Sequence, residues 1–560
     1  MKKNNIIILA VIAVVVFGLI FGIVTITQNW GKNKDTVDTE SATKTLDNLY
    51  RRININTPAP RKENVDLSGI SLSSSLPDIS MYPYVVEPAT PDFIEIFSSP
   101  EKAGSSYESW LIDVADVFNR SGVIIDGKPV SVAIRNISSG LGVDYIVSGK
   151  YVPEVFAPST ELWGDMLVYK GINVTLAEKS IAGNVAGIVL SRKKHDELIN
   201  KYGAVNSKVV VEAVLNSELI MGYTNPFASS TGLNFLLTTL YTLDSNNPLS
   251  DYCISELQKF QDNIPYVAYN TMQMKESAKS GSLDGFVLEY QTFVNSPDIR
   301  TDYIFTPFGV RHDQPVYIVG ELDTTKMDIV RNFINYCKSS DMQRLASEKG
   351  FNGMPDYVYE FAKADGATIS GAQQIWKKEK SGTRDLTAVF VADISGSMDG
   401  EPLLKLKESL NSAAKYIVPE THVGLVTFSS DVNIVLPIAK FDLNQRAYFT
   451  GAVMDMQAGG STAMYDAIIV ATKMLADAQA QNPNTKMMLF VLTDGETNRG
   501  HSLNDVARML RDLKIPIYTI GYNADISVLQ NLSNINEAAS INADTDDVIY
   551  KLESLFNAQM

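Results

Sequence analysis

Cysteine and histidine are scarce in this chain, which has two cysteines and four histidines among 560 residues. So few cysteines exclude a disulfide-dense scaffold, and their spacing fits no zinc site. Cys253 and Cys337 could pair with each other or remain buried free thiols. The G-x-S-x-G, H-E-x-x-H and Walker A patterns are also missing. These absences predict that the protein is not an enzyme.

Basic residues are fewer than acidic ones, with 48 Lys and Arg against 64 Asp and Glu, so the net charge is -16 at pH 7. The sequence has no basic stripe, which excludes nucleic acid or an anionic membrane surface as the principal partner. The chain is 45% hydrophobic and 20% charged, as in globular proteins. Its length predicts about three or four domains.

One long apolar run lies near the start, where residues 6–26 carry no charge. As a helix this run would span ~31 Å, which matches the hydrocarbon core of a bilayer. Residues 1–30 are therefore predicted to be an uncleaved, single-pass transmembrane signal anchor, with the bulk of the chain extracellular at the cell membrane. The alternative is a cleaved signal peptide, which Lys2 and Lys3 favour and the missing A-x-A-like site opposes.

Polar residues broken by proline, serine and threonine follow the apolar run. Residues 31–84 are predicted to be a polar stalk or linker, with a short helix possible near 41–50.

A pattern of oxygen-bearing side chains follows a buried strand in the last third of the chain. The segment TAVFVADISGSMDGEP runs from an apolar strand into a loop carrying Asp393, Ser395 and Ser397. Thr462 follows a Gly-Gly turn at the head of a predicted helix, and Asp494 ends a second apolar strand. Open α/β sheets bind ligands at the carboxyl ends of their strands. We therefore expect these five side chains to meet at one edge of a sheet.

Two carboxylates and three hydroxyls form a hard, all-oxygen ligand set. Such a set suits Mg²⁺, Mn²⁺ or Ca²⁺ and fits zinc or copper poorly. Mg²⁺ keeps several waters, which leaves a coordination position for an outside oxygen. The expected cofactor is a divalent cation, Mg²⁺ first, that becomes the recognition element.

These motifs are similar to those of the von Willebrand factor A (VWA) domain, over residues 385–560. The D-x-S-x-S, Thr and T-D-G signals resemble its metal-ion-dependent adhesion site (MIDAS), with all five positions present. The resemblance implies a Rossmann-like doubly wound sheet. Only SSDV separates VGLVTF from NIVLPI, so these two strands are predicted to form an antiparallel edge pair. The resemblance also implies that Ser395, Ser397 and Thr462 bind the metal directly. Asp393 and Asp494 would act directly or through water, and a protein partner would supply an Asp or Glu.

Residues 85–376 alternate strands and helices, which predicts an α/β fold of two lobes with mostly parallel sheets. The phrase GYTNPFASSTGLNFLL and the order of the elements resemble a type 2 bacterial solute-binding protein, a periplasmic-binding-protein-like fold. Such a fold could hold a small solute between its lobes. The candidate ligand-binding residues are small polar groups at strand ends: Ser98, Ser99, Ser138, Ser139, Ser159, Thr160, Asn225, Ser229, Ser230 and Thr231.

The same hydroxyls taken singly are ordinary helix caps. Glu289 and Tyr290 are expected near the cleft, where an inward glutamate would oppose an oxyanion unless it is protonated or paired. Simple phosphate or sulfate binding is therefore disfavoured, and a degenerate cleft that serves as a scaffold is the preferred interpretation.

Two function hypotheses follow. The first is a membrane-anchored extracellular binding or cell-adhesion protein that recognises an acidic group on a protein partner through the metal. The alternative is a solute-binding or sensing component, in which the middle domain captures a ligand and the VWA domain mediates complex assembly.

Overall fold

A computed structural model describes residues 39–65, 76–264, 266–268, 274–275, 283–380, 382, 384–415, 417–495, 497–522, 529, 532–533 and 540–542. The predicted membrane span lies outside these ranges. Within them, the structure contains no helix with the length and apolar character needed to cross a bilayer.

The N-terminal segment folds onto the carboxy-terminal domain. Helix α1 (Thr39–Tyr50) buries Leu46 in the apolar cluster that also holds Ile468 and Val506. Strand β1 (Ile55–Asn56) then pairs in parallel with residues 432–433. The short helix near 41–50 is therefore present. Residues 39–56 pack on the carboxy-terminal domain, so the prediction of a polar stalk or linker over 31–84 is wrong for this stretch.

The middle of the chain builds a first lobe from a mixed sheet and its covering helices. Apolar strand residues such as Ile94 and Val132 are buried beneath these helices. In chain order the elements are β2 (Tyr84–Val86), β3 (Asp92–Ser98), α2 (Pro100–Ala103), α3 (Trp110–Arg120), β4 (Ile124–Ile125), β5 (Lys128–Asn136), α4 (Ser139–Ser148), β6 (Val155–Ala157), α5 (Leu162–Tyr169) and β7 (Val174–Glu178).

The chain then crosses into a second lobe with its own sheet. Its elements are β8 (Ala186–Ser191), α6 (Arg192–Tyr202), α7 (Ser207–Leu215), β9 (Met221–Thr224), α8 (Ser230–Leu243), α9 (Asp251–Asp262), β10 (Tyr266–Ala268), β11 (Gly285–Glu289), α10 (Tyr290–Val294), α11 (Pro297–Asp302) and β12 (Tyr303–Phe308).

The chain returns to the first lobe before it leaves the middle domain. The returning elements are β13 (Val316–Val319), α12 (Thr324–Cys337) and α13 (Ser340–Glu348). Helix α14 (Gly366–Glu379) then packs against α5 of the first lobe and against α8 and α9 of the second. The described strands of the first lobe are ordered β2-β5-β3-β6-β13-β7, and those of the second β10-β9-β11-β8-β12.

Both sheets of the middle domain mix parallel and antiparallel pairs. Strand β13 runs antiparallel to β6 and β7, and β8 runs antiparallel to β11 and β12. The expectation of mostly parallel sheets is therefore wrong, because the chain crosses between the lobes and re-enters each sheet from the opposite direction. The two predicted lobes are present.

The carboxy-terminal domain is a doubly wound sheet with helices on both faces. Its elements are β14 (Leu386–Asp393), α15 (Glu401–Ala414), β15 (His422–Phe428), β16 (Val432–Lys440), α16 (Leu443–Met454), α17 (Met464–Gln481), β17 (Lys486–Thr493), α18 (Leu503–Leu513), β18 (Ile517–Gly521) and β19 (Ser540–Asn542).

The described strands of this sheet are ordered β1-β16-β15-β14-β17-β18-β19. Strands β15 and β16 are antiparallel, as predicted for the edge pair, and the other described pairs are parallel. Side chains of β14 alternate between two apolar clusters. Phe390 faces α15 and α16, while Val391 faces α1, α17 and α18. Burial on both faces explains the uninterrupted apolar run in the sequence.

The two cysteines do not pair. Cys253 and Cys337 are buried free thiols, so of the two alternatives that the sequence leaves open the structure has the second. They lie on α9 of the second lobe and at the end of α12 of the first lobe.

Candidate functional site

The first loop of the predicted metal site begins where β14 ends. Asp393 is fully buried, and its Oδ1 accepts a 2.8 Å hydrogen bond from the backbone N–H of Ser395. The hydroxyl oxygens of Ser395 and Ser397 lie 3.1 Å apart. Ser397 is exposed. The loop therefore brings the two hydroxyls together, with the Asp393 carboxylate buried beneath them and bonded to the Ser395 backbone.

The second loop, which carries Thr462, is hydrogen-bonded directly to the first. The backbone N–H of Gly396 donates to the carbonyl of Gly460 over 3.0 Å, and that of Gly459 donates to Ile394 over 2.9 Å. Gly460 has φ +85, and a Cβ there would lie 2.7 Å from the Ser430 hydroxyl. Glycine is thus required at position 460 by the left-handed backbone and by the close approach of the loop between β15 and β16, whereas a Cβ at Gly459 would meet nothing within 4 Å.

The third loop follows β17 and is tied to both of the others. The Thr493 hydroxyl donates to Asp393 Oδ2 over 2.5 Å. The backbone N–H of Thr462 donates to Asn498 Oδ1 over 2.9 Å, and that of Asn498 donates back to the Thr462 carbonyl over 3.1 Å. Asp494, next to Thr493, is only half-buried. The three loops that carry the five predicted side chains therefore meet at one edge of the sheet.

The electrostatics at this edge favour a cation. Burial raises the pKa of Asp393, and the charge of Asp494 raises it further, while hydrogen bonds from Thr493 and Ser395 oppose the rise. A buried carboxylate beside a second carboxylate is destabilised in its charged form unless a cation is present. Thr462 is also buried. The residues therefore fit a hard divalent ion, which would supply an open coordination position for an outside oxygen.

The predicted ligand set has two carboxylates, and its other three oxygens are hydroxyls. Among the residues that the structure describes, no group of three or more His, Cys, Asp or Glu side chains could hold a metal. A divalent ion at this edge of the sheet would therefore depend on Ser395, Ser397 and Thr462 as well as on Asp393 and Asp494.

Two side chains of this site, Thr493 and Asn498, are not predicted from the sequence. Thr493 is the first residue of the T-D-G signal, and its hydroxyl holds Asp393. Asn498 lies four residues after Asp494 and holds Thr462. The T-D-G motif could have indicated Thr493, whereas the sequence carries no signal for Asn498.

Nine of the ten polar residues predicted for the interlobe cleft form side-chain hydrogen bonds within the protein, and four of them bond each other through their side chains. The Ser159 hydroxyl donates to Ser99 Oγ over 3.1 Å, and Ser230 Oγ lies 3.3 Å from Ser139 Oγ. Thr231 donates to Glu289 Oε1 over 2.9 Å. Four other members bond backbone groups or side chains near them: Ser98, Thr160, Asn225 and Ser229. The buried Ser138 Oγ has no partner among the described residues.

Glu289 is the centre of a buried polar network in the cleft. Its carboxylate accepts hydrogen bonds from His312 Nδ1 at 2.6 Å, Asn184 Nδ2 at 2.6 Å and Thr231 Oγ1 at 2.9 Å. Glu289 and His312 are fully buried. The inward glutamate is therefore paired, which is one of the two conditions under which it would not oppose an oxyanion. Tyr290 instead packs edge-on against Phe305, with ring centroids 5.3 Å apart.

The position of His312 in the cleft is not evident from the sequence. It lies on the segment that returns from the second lobe to the first, 23 residues after its partner Glu289. A lone histidine in a loop carries no signal for a buried ion pair.

Two family models match the chain. Residues 388–558 match the von Willebrand factor type A domain, and residues 103–352 match the bacterial extracellular solute-binding protein family.

Among curated relatives, inter-alpha-trypsin inhibitor heavy chain H3 from Bos taurus is 28% identical over 29% of this chain and 19% of its own length. Heavy chain H1 from Sus scrofa is 30% identical over 28% of this chain and 19% of its own. The chain thus spans about a fifth of the length of the curated relatives it matches. The solved sulfate-binding protein SubI from Mycobacterium tuberculosis H37Rv is 15% identical over 47% of this chain and 87% of its own, with a TM-score of 0.34.

Each matched range overlaps one of the two folded regions, 103–352 the middle domain and 388–558 the carboxy-terminal domain. The chain therefore carries a VWA domain and, before it, a bacterial solute-binding-protein-like domain.

Proposed function

We propose that the protein is a membrane-anchored extracellular binding protein whose VWA domain recognises an acidic group on a protein partner through a divalent cation. Asp393, Ser395, Ser397, Thr462 and Asp494 would hold the ion, with Mg²⁺ as the first expectation and Mn²⁺ or Ca²⁺ as alternatives. The observation that carries the proposal is the hydrogen-bonded junction of the loops at 393–397, 459–462 and 493–498.

The junction supports recognition because of where its oxygens lie. Asp393 and Thr462 are buried, while Ser397 is exposed and Asp494 is half-buried. A cation bound among them would be held from below and reached from the solvent side. An Asp or Glu of the partner could then complete its coordination.

Binding, and not catalysis, is the proposed activity. The carboxylates of the junction number two, and they are the groups expected to hold the ion, which leaves neither as a free general base.

Residues 6–26 are proposed to anchor the chain in the membrane. The net charge of -16 argues against nucleic acid or an anionic membrane surface as the principal partner of the rest of the chain.

We assign solute capture no part in this proposal. Apart from that of Ser138, the hydroxyls suited to an oxyanion are bonded within the protein, and the Glu289 carboxylate is occupied by His312, Asn184 and Thr231.

Metal-dependent capture of the partner tests the proposal. Full-length protein would be used as bait with Mg²⁺ and with chelator, beside an Asp494→Ala variant. A matched control is Asp477→Ala, an exposed aspartate on α17 that pairs with Lys473 on the same helix. The proposal expects capture with Mg²⁺ by the parent and by Asp477→Ala, and none with chelator or by Asp494→Ala. Capture that persists in chelator, or in Asp494→Ala, would reject it.

A further inference from the structure

A turn of the N-terminal segment lies at the same edge of the sheet as the proposed metal site. It comprises residues 51–54, between α1 and β1. Strand β1 pairs in parallel with the start of β16, which follows the carboxyl end of β15, and Phe428 at that end is level with Asp393. Asn54 Nδ2 donates to Asp431 Oδ1 over 3.3 Å. The turn is therefore bonded to the connection between β15 and β16, at the edge where Asp393 lies.

The connection between β15 and β16 is bonded to the second metal loop as well. Ser430 Oγ accepts a hydrogen bond from the backbone N–H of Ser461 over 3.0 Å, and the Ser429 carbonyl accepts one from the backbone N–H of Ala463 over 3.0 Å. Thr462 lies between these two donors. The connection thus joins the loop of a proposed metal ligand on one side to the N-terminal turn on the other.

Packing before and after the turn holds it in place. Before it, Leu46 of α1 is fully buried in the cluster that contains Ile468 of α17 and Val506 of α18. Asp47 Oδ1 also lies 3.0 Å from Lys473 Nζ of α17. After it, β1 is paired with β16. The position of the turn is therefore fixed by the fold of the VWA domain.

Three exposed arginines lie at this part of the edge. Arg51 and Arg52 are within three residues of Asn54, at most about 11 Å along an extended chain. Arg499 is on the third metal loop, and its backbone N–H donates to the Thr462 carbonyl over 3.2 Å. Among the residues that the structure describes, none of the three guanidinium groups has an ion-pair partner. In a chain with a net charge of -16, three uncompensated positive charges thus lie beside the proposed metal site.

The acidic side chains at the rim of the site lie toward the other face of the sheet or are paired. Asp399 and Glu401 are exposed at the start of α15, which covers the face opposite to α1, α17 and α18. Glu401 pairs with Lys405 over 2.9 Å, and Asp455, which leads into the second loop, pairs with Arg61 over 2.8 Å. The rim is therefore basic on one side, and this asymmetry would orient an acidic partner as it approaches.

We propose that Arg51, Arg52 and Arg499 form a basic rim that contacts further acidic groups of the protein partner, beside the Asp or Glu that completes the coordination of the metal. This inference rests on the proposed function. The partner's determinant is then an acidic stretch and not a lone carboxylate, and the N-terminal segment is part of the binding surface. Guanidinium groups suit this contact, because their paired N–H donors match the two oxygens of a carboxylate.

Peptide binding to the full-length protein tests the inference. The probes are fluorescein-labelled Gly-Ser peptides with one central Asp, which has no charged neighbours, three Glu residues on each side, or three Lys residues on each side. Anisotropy titrations with Mg²⁺ and with chelator would compare the parent with Asp494→Ala, Arg499→Ser, Arg51→Ser/Arg52→Ser and Arg51→Glu/Arg52→Glu. The matched control is Arg331→Ser/Arg344→Ser, which removes two positive charges from exposed positions on α12 and α13.

With Mg²⁺ at about 0.1 M ionic strength, the parent should bind the Glu-flanked peptide about tenfold more tightly than the peptide with Asp alone. Arg51→Ser/Arg52→Ser should weaken binding of the Glu-flanked peptide about three- to tenfold, and Arg499→Ser about two- to threefold. Binding of the peptide with Asp alone should change by less than about twofold, and the control should follow the parent. At about 1 M ionic strength the Debye length falls from about 10 Å to about 3 Å, so the effect of the arginines should largely disappear.

Charge reversal guards against loss of binding through misfolding. Arg51→Glu/Arg52→Glu should prefer the Lys-flanked peptide to the Glu-flanked one. This is a gain of binding that an unfolded variant could not show.

Failure of the rim and failure of the metal site give different results. Equal binding of the Glu-flanked peptide by the parent and by Arg51→Ser/Arg52→Ser, with Mg²⁺ dependence intact, would overturn the basic rim and leave metal-dependent recognition standing. Binding that persists in chelator or in Asp494→Ala would reject the proposed function and this inference with it. The same conclusion holds if the parent binds no peptide in the presence of Mg²⁺.

Discussion

Removing one carboxylate from the loop junction should separate the metal's contribution to stability from that of the fold. Asp494 is half-buried, and its charge raises the pKa of the buried Asp393. In chelator, Asp494→Asn removes this repulsion. The variant should therefore be at least as stable as the parent when no metal is bound.

The order should reverse when metal is added. A ligand that binds only the folded state at about 100 times its Kd stabilises that state by about 2.7 kcal/mol. For a domain of this size, such a gain raises the Tm by roughly 5–10 °C. The parent should show this rise with Mg²⁺, and Asp494→Asn should lose most of it.

Differential scanning calorimetry of the full-length protein, with chelator and with Mg²⁺, would measure both effects. Asp477→Asn on the surface of α17 is the matched control and should follow the parent in both conditions. The reasoning is refuted if Mg²⁺ leaves the parent unchanged, or if it stabilises Asp494→Asn by the same amount.

Three further perturbations test other parts of the structure. Leu46→Ala on the fully buried face of α1 should lower the free energy of unfolding of the VWA domain by about 2–5 kcal/mol, whereas Leu404→Ala, at an exposed site, should change it by less than about 0.5 kcal/mol; urea denaturation measures both. Because burial lowers the pKa of Lys380 to about 7, the unfolded state binds more protons above that pH. Stability should then rise by up to about 1.4 kcal/mol per pH unit toward pH 10, and Lys380→Met should remove this rise in a pH series of unfolding curves. Gly140→Ala, whose Cβ would lie 1.8 Å from a carbonyl oxygen of the other lobe, should destabilise the middle domain by about 1–3 kcal/mol and raise its hydrogen exchange. An unchanged exchange rate would show that the lobes are not packed against each other there.

The fold of the carboxy-terminal domain is largely predictable, because its local signals agree with one another. Apolar runs such as Leu386–Asp393 lead into loops rich in glycine and hydroxyls, and helices follow. The antiparallel edge pair follows from the short SSDV connection. Strand burial and turn chemistry thus specify both the sheet and the edge at which the site lies.

The placement of the N-terminal segment is not predictable in the same way. Helix α1 is amphipathic, but its polar flanks are typical of a linker, and nothing local to it indicates which surface covers Leu46. Strand β1 has two residues, and it is ordered by pairing with Val432 across more than 370 positions. Long-range packing of this kind leaves almost no trace in the segment itself.

The interlobe cleft shows a third limit. Small hydroxyls at strand ends are equally compatible with a ligand and with capping. The buried pair of Glu289 and His312 joins two separate segments of the chain. The sequence places Glu289 near the cleft but carries no signal for His312, so only the structure shows that the two side chains meet.

The most direct test of the metal site is an anomalous-scattering map from crystals grown with Mn²⁺. The proposed function predicts a peak within bonding distance of the hydroxyls of Ser395, Ser397 and Thr462, with Asp393 and Asp494 beside it. A map with no peak among these side chains, at an Mn²⁺ concentration that supports partner binding, would contradict the central claim.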